Sequence, residues 1–225
     1  MSKMSGASKT LAYFTASLLL ASLPIHAFAG NATAAAHAKT HKTSNGKFWN
    51  SLSRHWLTEE QIKLLNLAHH IGMEEDGAEQ AALLQAILMQ ESHAGNYGRI
   101  GDVHADVGKR SYGVMQVKLI TAYDVLKNYP EMGNFKTEEG LIIKLVTDDE
   151  FNIRIASRHL LMLRKHTQRD AQAIMAYNTG LNKAMAHWYP EKFRYVRKVD
   201  RYLRYVVRPF NKHFGEDGRI VALQD

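Results

Sequence analysis

Helix-start signals, each followed by apolar residues at helical spacing, constrain the fold of this chain more than any other feature. Three pairs of residues have the spacing of a helix capping box: Thr58 with Gln61, Asp76 with Glu79, and Thr147 with Glu150. After each pair, apolar residues recur in steps of three and four, which is typical of a helix with one buried face. The pattern predicts a mainly α fold, in one domain over residues 48–225.

The same periodicity predicts the remaining helices. They are expected at Lys118–Asn128, Ala171–Tyr177, Asn182–His187 and from about Lys192 to Val207 or beyond. Gly72 is expected to end the first helix. Pro209 is expected to end or kink the last helix, because proline has no backbone N–H.

One stretch of the predicted domain, Ser92–Tyr112, lacks this periodicity. It is rich in glycine and poor in apolar residues. It is predicted to form a long loop with room for a short hairpin. Loops of this length in a compact domain are usually functional.

Composition excludes several classes of protein. The chain is 45% apolar and 23% charged, as in ordinary globular proteins, so wholesale disorder is excluded. It has no cysteine, which excludes disulfides, thiolate zinc sites and cysteine nucleophiles. The formal net charge of +7 favours an anionic partner, and nucleic acid, an anionic membrane face and a cell-wall polymer all fit that description.

The N-terminus has the three parts of a secretory signal. Lys3 and Lys9 precede an apolar run over Leu11–Leu20, and Ala27-Phe28-Ala29 provides the small residues that signal peptidase requires. Residues 1–29 are therefore predicted to be a signal peptide cleaved after Ala29, which indicates the periplasm or the exterior of a bacterium. The alternative is a membrane anchor that stays uncut.

A polar segment follows the predicted signal. Residues 30–47 contain no large apolar side chain, so we expect a flexible linker. His37 and His41 have helical spacing for a metal site, but in so polar a segment we expect them to be solvated.

Glu91 is the strongest candidate for a catalytic residue. It ends the apolar segment Ala81–Met89, and counting back four and seven residues gives Ile87 and Leu84. The carboxyl group therefore continues the core-facing stripe, where desolvation raises its pKa and suits it to act as a general acid. The alternative is a glutamate at a helix end that turns to water.

Two further clusters contain groups suited to a sugar-binding cleft. In the segment 111–117, Gly113 permits close backbone approach and Gln116 offers both donors and an acceptor. In the segment 176–180, Tyr177 and Asn178 combine a phenol with an amide at a helix end. Each cluster alone is a weak signal, since Gln116 is equally compatible with a surface position and Asn178 with a helix cap.

Taken in order, these motifs resemble those of the lytic transglycosylases of the soluble-type (SLT) family. The matching motifs are Glu91-Ser92, Gly113-Val114-Met115-Gln116-Val117, and Ala176-Tyr177-Asn178 with Gly180. Two weaker agreements are Asn152-Ile153, and Tyr195-Val196 with Lys198-Val199. The resemblance covers about Ala81–Tyr205.

The resemblance implies a lysozyme-like helical fold and cleavage of the β-1,4 bond between N-acetylmuramic acid and N-acetylglucosamine in peptidoglycan. It implies Glu91 as the single general acid and base, with a 1,6-anhydro sugar as product. Substrate-binding roles then fall to six further residues: Ser111, Met115, Gln116, Tyr177, Asn178 and Tyr195. Within this set, Tyr195 would support the acid and Ser111 would bind the acetamido group.

Two features depart from the family pattern. The loop after Glu91 is somewhat longer than expected and carries Asp102 and Asp106, and Thr179 stands where the family often has alanine. The acids leave a goose-type lysozyme open, in which Asp102 or Asp106 holds a hydrolytic water. A noncatalytic protein for wall binding or assembly is the second alternative.

The remaining expectations concern cofactors and partners. We expect no cofactor and no metal, because His69, His70, His93 and His104 lack the His-Glu-x-x-His spacing. Basic residues on the last helix are interpreted as a solvated face, so no nucleic acid is expected. The expected partners are peptidoglycan strands and, as a candidate, a secretion, conjugation or phage apparatus of the cell envelope. A monomer is expected.

Overall fold

The computed structural model describes residues 57–214. The predicted signal peptide at 1–29, the linker at 30–47 with His37 and His41, and both ends of the predicted domain, 48–56 and 215–225, lie outside the described residues. The prediction of a mainly α fold is confirmed. Within residues 57–214, no helix is both long enough and apolar enough to cross a membrane.

Nine α-helical segments account for most of the described residues. They are α1 Glu59–Asp76, α2 Ala78–Ser92, α3 Leu119–Asn128, α4 Glu138–Thr147, α5 Asp149–His166, α6 Asp170–Thr179, α7 Leu181–Met185, α8 Arg194–Tyr202 and α9 Arg208–Phe214. Three short strands, β1 Ile100–Gly101, β2 Ser111–Tyr112 and β3 Val117–Lys118, form an antiparallel sheet in that order. In register, Tyr112 of β2 pairs with Ile100 on one side and with Val117 on the other.

The first two helices pack closely against each other. The capping box at Thr58 is confirmed, since its hydroxyl accepts from the Gln61 N–H and the Gln61 side chain accepts from the Thr58 N–H. The prediction that Gly72 ends α1 is wrong, because the helix continues to Asp76. A Cβ at Gly72 would overlap the backbone of Ala81, so this glycine permits the close approach of α1 and α2.

The predicted capping box at Asp76 is also wrong. α2 begins after Gly77, whose φ is +83°. The carboxylates of Asp76 and Glu79 instead each accept from Arg164 of α5 at 2.9 Å. Long-range ion pairs have therefore replaced the local cap at this junction.

The predicted start of α5 is one residue early. Asp148, rather than Thr147, caps the helix by accepting from the Phe151 N–H at 2.9 Å. Thr147 ends the preceding helix, α4, which the periodicity did not predict. Thr137 caps α4 by accepting from the Gly140 N–H at 3.1 Å.

The last predicted helix is interrupted instead of continuous. A 3₁₀ turn at Pro190–Lys192 precedes α8, and a π-helical turn at Leu203–Val207 separates α8 from α9. Pro209 does not end the helical course, because it lies in the first turn of α9, where a missing N–H is tolerated. Along this interrupted course, Val196, Val199, Val206 and Phe210 are buried.

α2 lies at the centre of the core. Every residue from Leu83 to Met89 is buried, and the helix packs against α1, α5, α8 and the π-helical turn. The long loop predicted at Ser92–Tyr112 is present and holds β1, β2 and a 3₁₀ turn at Val107–Lys109. The C-terminal end of the buried helix thus leads directly into the loop and sheet that border a cleft.

Candidate active site

A cleft of about 750 Å³ opens at the C-terminal end of α2. Its lining comes from Glu91, from the loop and sheet, and from α3, α5, α6 and the start of α7. Five of the predicted site residues line it: Glu91, Ser111, Gln116, Tyr177 and Asn178. The other two, Met115 and Tyr195, lie behind the lining and are hydrogen-bonded to it.

Glu91 occupies the position that the sequence predicted, half-buried at the end of the core-facing stripe of α2. Burial raises the pKa of its carboxyl group to about 7, and a hydrogen bond from Tyr195 opposes that rise. At neutral pH a substantial fraction of this carboxyl is therefore protonated, which is the form that a general acid requires.

Tyr195 holds the carboxyl of Glu91 in place. Its phenol donates a short hydrogen bond to Glu91 Oε1. Tyr195 is buried near the start of α8, and the adjacent Val196 and Val199 fix this helix in the core. Burial, followed by the proximity of Glu91, raises the pKa of the phenol well above its usual value, so it remains a donor.

A buried asparagine shapes the turn that carries Met115 and Gln116. Asn152 of α5 is completely buried; its Oδ1 accepts from the Met115 N–H at 2.8 Å and its Nδ2 donates to the Tyr112 carbonyl at 2.9 Å. Gly113 has φ +74°, and a Cβ there would overlap the Asn152 side chain. The glycine in this motif is therefore required both by backbone conformation and by the close approach of the asparagine.

Gln116 is itself held by backbone carbonyls. Its Nε2 donates to the Gly113 carbonyl at 2.9 Å and contacts the Gly98 carbonyl at 3.4 Å. A Cβ at Gly101 would overlap Gln116 Oε1, so the β1 backbone lies directly against the amide. This side chain ties the loop to the turn as well as lining the cleft.

Tyr177 and His159 form an aromatic contact at the cleft. The Tyr177 phenol donates to the Met115 carbonyl at 2.9 Å, and its ring lies 5.6 Å from the imidazole of His159. Burial lowers the pKa of His159 to about 4, so its imidazole is neutral at neutral pH. Because the phenol of Tyr177 is engaged by Met115, it acts on the shape of the cleft more directly than on Glu91.

The long loop is anchored to α5 and to β2. Arg99 forms a two-pronged ion pair with Asp149 at the start of α5, and its carbonyl accepts from the Gly113 N–H at 2.7 Å. The Tyr112 phenol donates to the Val107 carbonyl at 2.7 Å. These contacts fix the loop that forms one edge of the cleft.

The two acids of this loop are placed differently. Asp102 lines the cleft, where the Ser111 hydroxyl contacts its Oδ2 at 3.4 Å. Asp106 is exposed, does not line the cleft and pairs with Lys109 at 2.9 Å. Of the two acids that the sequence left open for a water-holding role, only Asp102 faces the site.

Sequence reasoning did not identify Asn152 and His159 as site residues. Asn152 appeared only as a family-typical pair with Ile153, although an asparagine between two apolar core residues on a helix is a signal for a buried hydrogen-bonding role. His159 has no comparable signal. Within residues 57–214, no three or more His, Asp or Glu side chains are grouped so that they could hold a metal ion.

Comparison with family models identifies the family of the chain. The model of the Transglycosylase SLT domain matches residues 71–194. The chain belongs to this family. Searches among curated proteins and among solved structures gave no match.

The family assignment confirms the lysozyme-like helical fold that the sequence motifs predicted. An SLT domain acts on peptidoglycan with transglycosylase-type activity. The match includes Glu91, Ser111 and the Gly113, Tyr177 and Asn178 motifs, and it ends one residue before Tyr195. The geometry nevertheless brings Tyr195 against Glu91, so the hydrogen-bonded pair extends beyond the matched segment.

Proposed function

We propose that this protein is a lytic transglycosylase that cleaves the β-1,4 bond between N-acetylmuramic acid and N-acetylglucosamine without water. Glu91 is the single general acid and base, and the product ends in a 1,6-anhydro sugar. The observation that carries the proposal is a half-buried carboxyl group in a cleft, with its pKa raised to about 7 and its orientation fixed by one buried phenol.

The reaction requires two proton transfers at the same carboxyl group. Protonated Glu91 donates its proton to the glycosidic oxygen as the bond to C1 breaks. The 2-acetamido oxygen of the substrate stabilises the cationic C1, a substrate-assisted route. The Glu91 carboxylate then removes the proton from the C6 hydroxyl as that oxygen bonds to C1 and the acetamido oxygen leaves.

The neighbouring residues support this sequence of steps. Tyr195 orients Glu91 and stabilises its carboxylate between the two transfers. The turn held by Asn152 shapes the cleft through Met115 and Gln116, and Tyr177 braces that turn through the Met115 carbonyl. We assign Ser111, on the cleft surface, to the acetamido group, and Asn178, exposed at the cleft rim, to the outer part of the substrate.

A hydrolase of the lysozyme kind is the second candidate, and the position of Asp102 favours it. A carboxylate at the cleft surface is able to hold and activate a water that competes with the C6 hydroxyl. The intramolecular hydroxyl has the advantage of proximity, which is worth several kcal/mol over a bimolecular competitor. We therefore expect the anhydro product to predominate.

Mass spectrometry of the products separates the two candidates. Purified protein is incubated with peptidoglycan sacculi, and the soluble muropeptides are measured without chemical reduction. Transglycosylation gives muropeptides lighter by one water than the hydrolytic products. Predominantly reducing ends in the wild type, lost in Asp102→Asn, would establish the lysozyme reaction instead.

We further propose that the protein acts in the periplasm or outside the cell. The support is the signal-like sequence at residues 1–29, with cleavage after Ala29, and the net charge of +7, which suits a wall polymer with anionic peptide stems. A cell-envelope secretion, conjugation or phage apparatus remains the candidate protein partner. N-terminal sequencing of the exported protein tests the location, and an intact Met1 in the envelope fraction would indicate an uncut anchor.

A further inference from the structure

Three apolar side chains near α7 are unusually exposed. Trp188 is 87% exposed, Tyr189 57% and Met185 46%. Large aromatic side chains bury most of their area in ordinary folds, so an exposure as high as that of Trp188 calls for an explanation. We call Met185, Trp188 and Tyr189 the aromatic platform.

The platform is joined to the cleft lining by short segments of chain. Leu181 lines the cleft, and helical hydrogen bonding runs from Gly180 to His187, just before Trp188. At about 1.5 Å per residue, this stretch spans roughly 10 Å. On the α5 side, His166 lines the cleft, and Arg169, three residues later, contacts the Trp188 carbonyl at 3.4 Å. Two short segments thus connect the platform to Leu181 and His166, which line the cleft.

The backbone of the platform is held in place while its rings face outward. Arg169 pairs with Glu191 at 3.4 Å, and Pro190, which directly follows Tyr189 in the sequence, is buried. The Lys192 ammonium lies 4.4 Å from the centre of the Tyr189 ring. This cation covers one face of Tyr189, so the indole of Trp188 presents the largest uncovered apolar surface.

We propose that the aromatic platform binds the glycan strand of peptidoglycan outside the catalytic cleft, with Trp188 stacked on the apolar face of a sugar ring. The proposal rests on the proposed function, since it takes the cleft to be the site of a polymeric substrate. A glycan strand bound in the cleft extends beyond it, and the platform is joined by two short segments to residues that line the cleft. The ligand class is a β-1,4-linked amino-sugar polymer.

The surroundings favour a glycan over a protein or membrane partner. The exposed rings stand among polar and charged neighbours, including His187, Glu191 and Lys192, instead of forming a broad apolar area. Isolated aromatic faces between hydrogen-bonding groups suit a sugar ring, which is apolar on its faces and polar around its edge. A stable protein interface requires a larger continuous surface.

Binding to sacculi in a catalytically silent background tests the proposal. Every variant carries Glu91→Gln, so the polymer remains intact during the assay, and the bound fraction is measured by pelleting with increasing amounts of sacculi. Trp188→Ala is expected to weaken binding about two- to tenfold, the range that one aromatic contact contributes. Trp188→Phe should restore most of the loss, because it keeps an aromatic face.

Tyr205→Ala is the matched control. Tyr205 is also exposed, at 56%, but it lies in the π-helical turn and does not line the cleft. Its removal should leave binding unchanged. A loss equal to that of Trp188→Ala would indicate nonspecific apolar adsorption and overturn the proposal.

A second substrate separates glycan from peptide recognition. Strands stripped of their peptide stems by an amidase should show the same defect for Trp188→Ala. A defect confined to peptide-bearing sacculi would overturn the glycan assignment. If Trp188→Ala binds sacculi as tightly as its parent, the proposed binding role of the aromatic platform is overturned. This holds whether or not the variant changes in self-association.

These outcomes are separate from those of the proposed function. If the wild-type protein, with Glu91 intact, releases no anhydro muropeptides, the proposed function fails whatever Trp188 does. If it releases them and Trp188→Ala binds as tightly as its parent, only the platform fails.

Discussion

Two groups of polar side chains at the cleft, which we call the buried side and the exposed side, differ in how they are held. On the buried side, Glu91 is hydrogen-bonded to a buried phenol, and the adjacent turn is fixed by the completely buried Asn152. On the exposed side, Asp124, His166 and Asn178 line the cleft from exposed positions.

This difference predicts which property each substitution should change. Buried, hydrogen-bonded groups fix geometry, so changing them should alter rate and stability together. Exposed groups at the rim are proposed to contact the polymer, so changing them should alter substrate affinity with little effect on the fold.

Glu91→Gln should have the largest effect on activity. Loss of a general acid–base typically costs about 10²–10⁴ in rate, and in the proposed mechanism one group serves both proton transfers. Release of dye-labelled fragments from sacculi measures this loss, with the exposed Glu131→Gln as the matched control. Near-normal lysis by Glu91→Gln would exclude Glu91 as the catalytic acid and leave a different group responsible.

The same substitution should change the pH dependence of stability. The pKa of Glu91 is about 7 in the fold against a usual value of 4.5, so the native state binds more protons than the unfolded state between these values. The free energy of unfolding of the wild type therefore falls as the pH rises from about 4.5 to about 7. The Glu91→Gln variant has no ionisable group at this position and shows no such decrease. Denaturant unfolding should show equal stability at pH about 4 and an advantage of roughly 1–3 kcal/mol for Glu91→Gln at pH about 8.

Gly113→Ala should cause the largest loss of stability, because it breaks the buried side at its tightest point. The φ of +74° is strained for alanine, and the added Cβ would overlap the Asn152 side chain. We expect a cost of about 2–4 kcal/mol together with loss of activity. Gly108→Ala is the control, because its Cβ would meet no atom within 4 Å. If both variants unfold at the same denaturant concentration, the turn is not the rigid element described above.

Tyr195→Phe should separate two effects of the phenol: its effect on the orientation of Glu91 and its effect on the pKa of Glu91. The phenol hydrogen bond lowers the pKa of Glu91, so its removal should raise that pKa and move the falling limb of the pH–rate profile to higher pH. The rate at the optimum should fall about tenfold, the effect of losing one hydrogen bond to a charged group.

Tyr177→Phe is the matched variant for Tyr195→Phe. Its phenol donates to the Met115 carbonyl, so the rate should fall while the falling limb of the pH–rate profile keeps its position. A limb that shifts in Tyr177→Phe and stays fixed in Tyr195→Phe would reverse the assigned roles of the two phenols.

The sequence could predict what depends on local pattern. The burial of Glu91 follows from its distance of four and seven residues from Ile87 and Leu84, and both of these are fully buried. The capping box at Thr58 is correct for the same reason, since both partners lie within one helical turn.

Features that depend on tertiary contacts could not be predicted in this way. The Asp76 capping box fails because Arg164 of α5, distant in sequence, attracts both carboxylates. Helix α4 was missed because Gly140, a poor helix former, lies in its first turn, where the Thr137 cap compensates. Asn152 reaches its partners across 37 and 40 residues, a contact that no local spacing reports.

Asn178→Ala should have the smallest effect, and it tests the exposed side directly. Asn178 lines the cleft rim near the end of α6 and is exposed, so truncation should leave the unfolding midpoint unchanged. Loss of one hydrogen bond to substrate should raise KM about two- to tenfold while kcat stays close to the wild-type value.

Asn182→Ala provides the control for this last variant, because Asn182 is another exposed asparagine, four residues later, that does not line the cleft. Its KM should match the wild type. A fall in kcat for Asn178→Ala comparable to that of Tyr195→Phe would mean that the rim also fixes the reacting atoms. In that case the division between the buried side and the exposed side would fail at this residue. The exposed amide would then act in the transition state and not only in substrate binding.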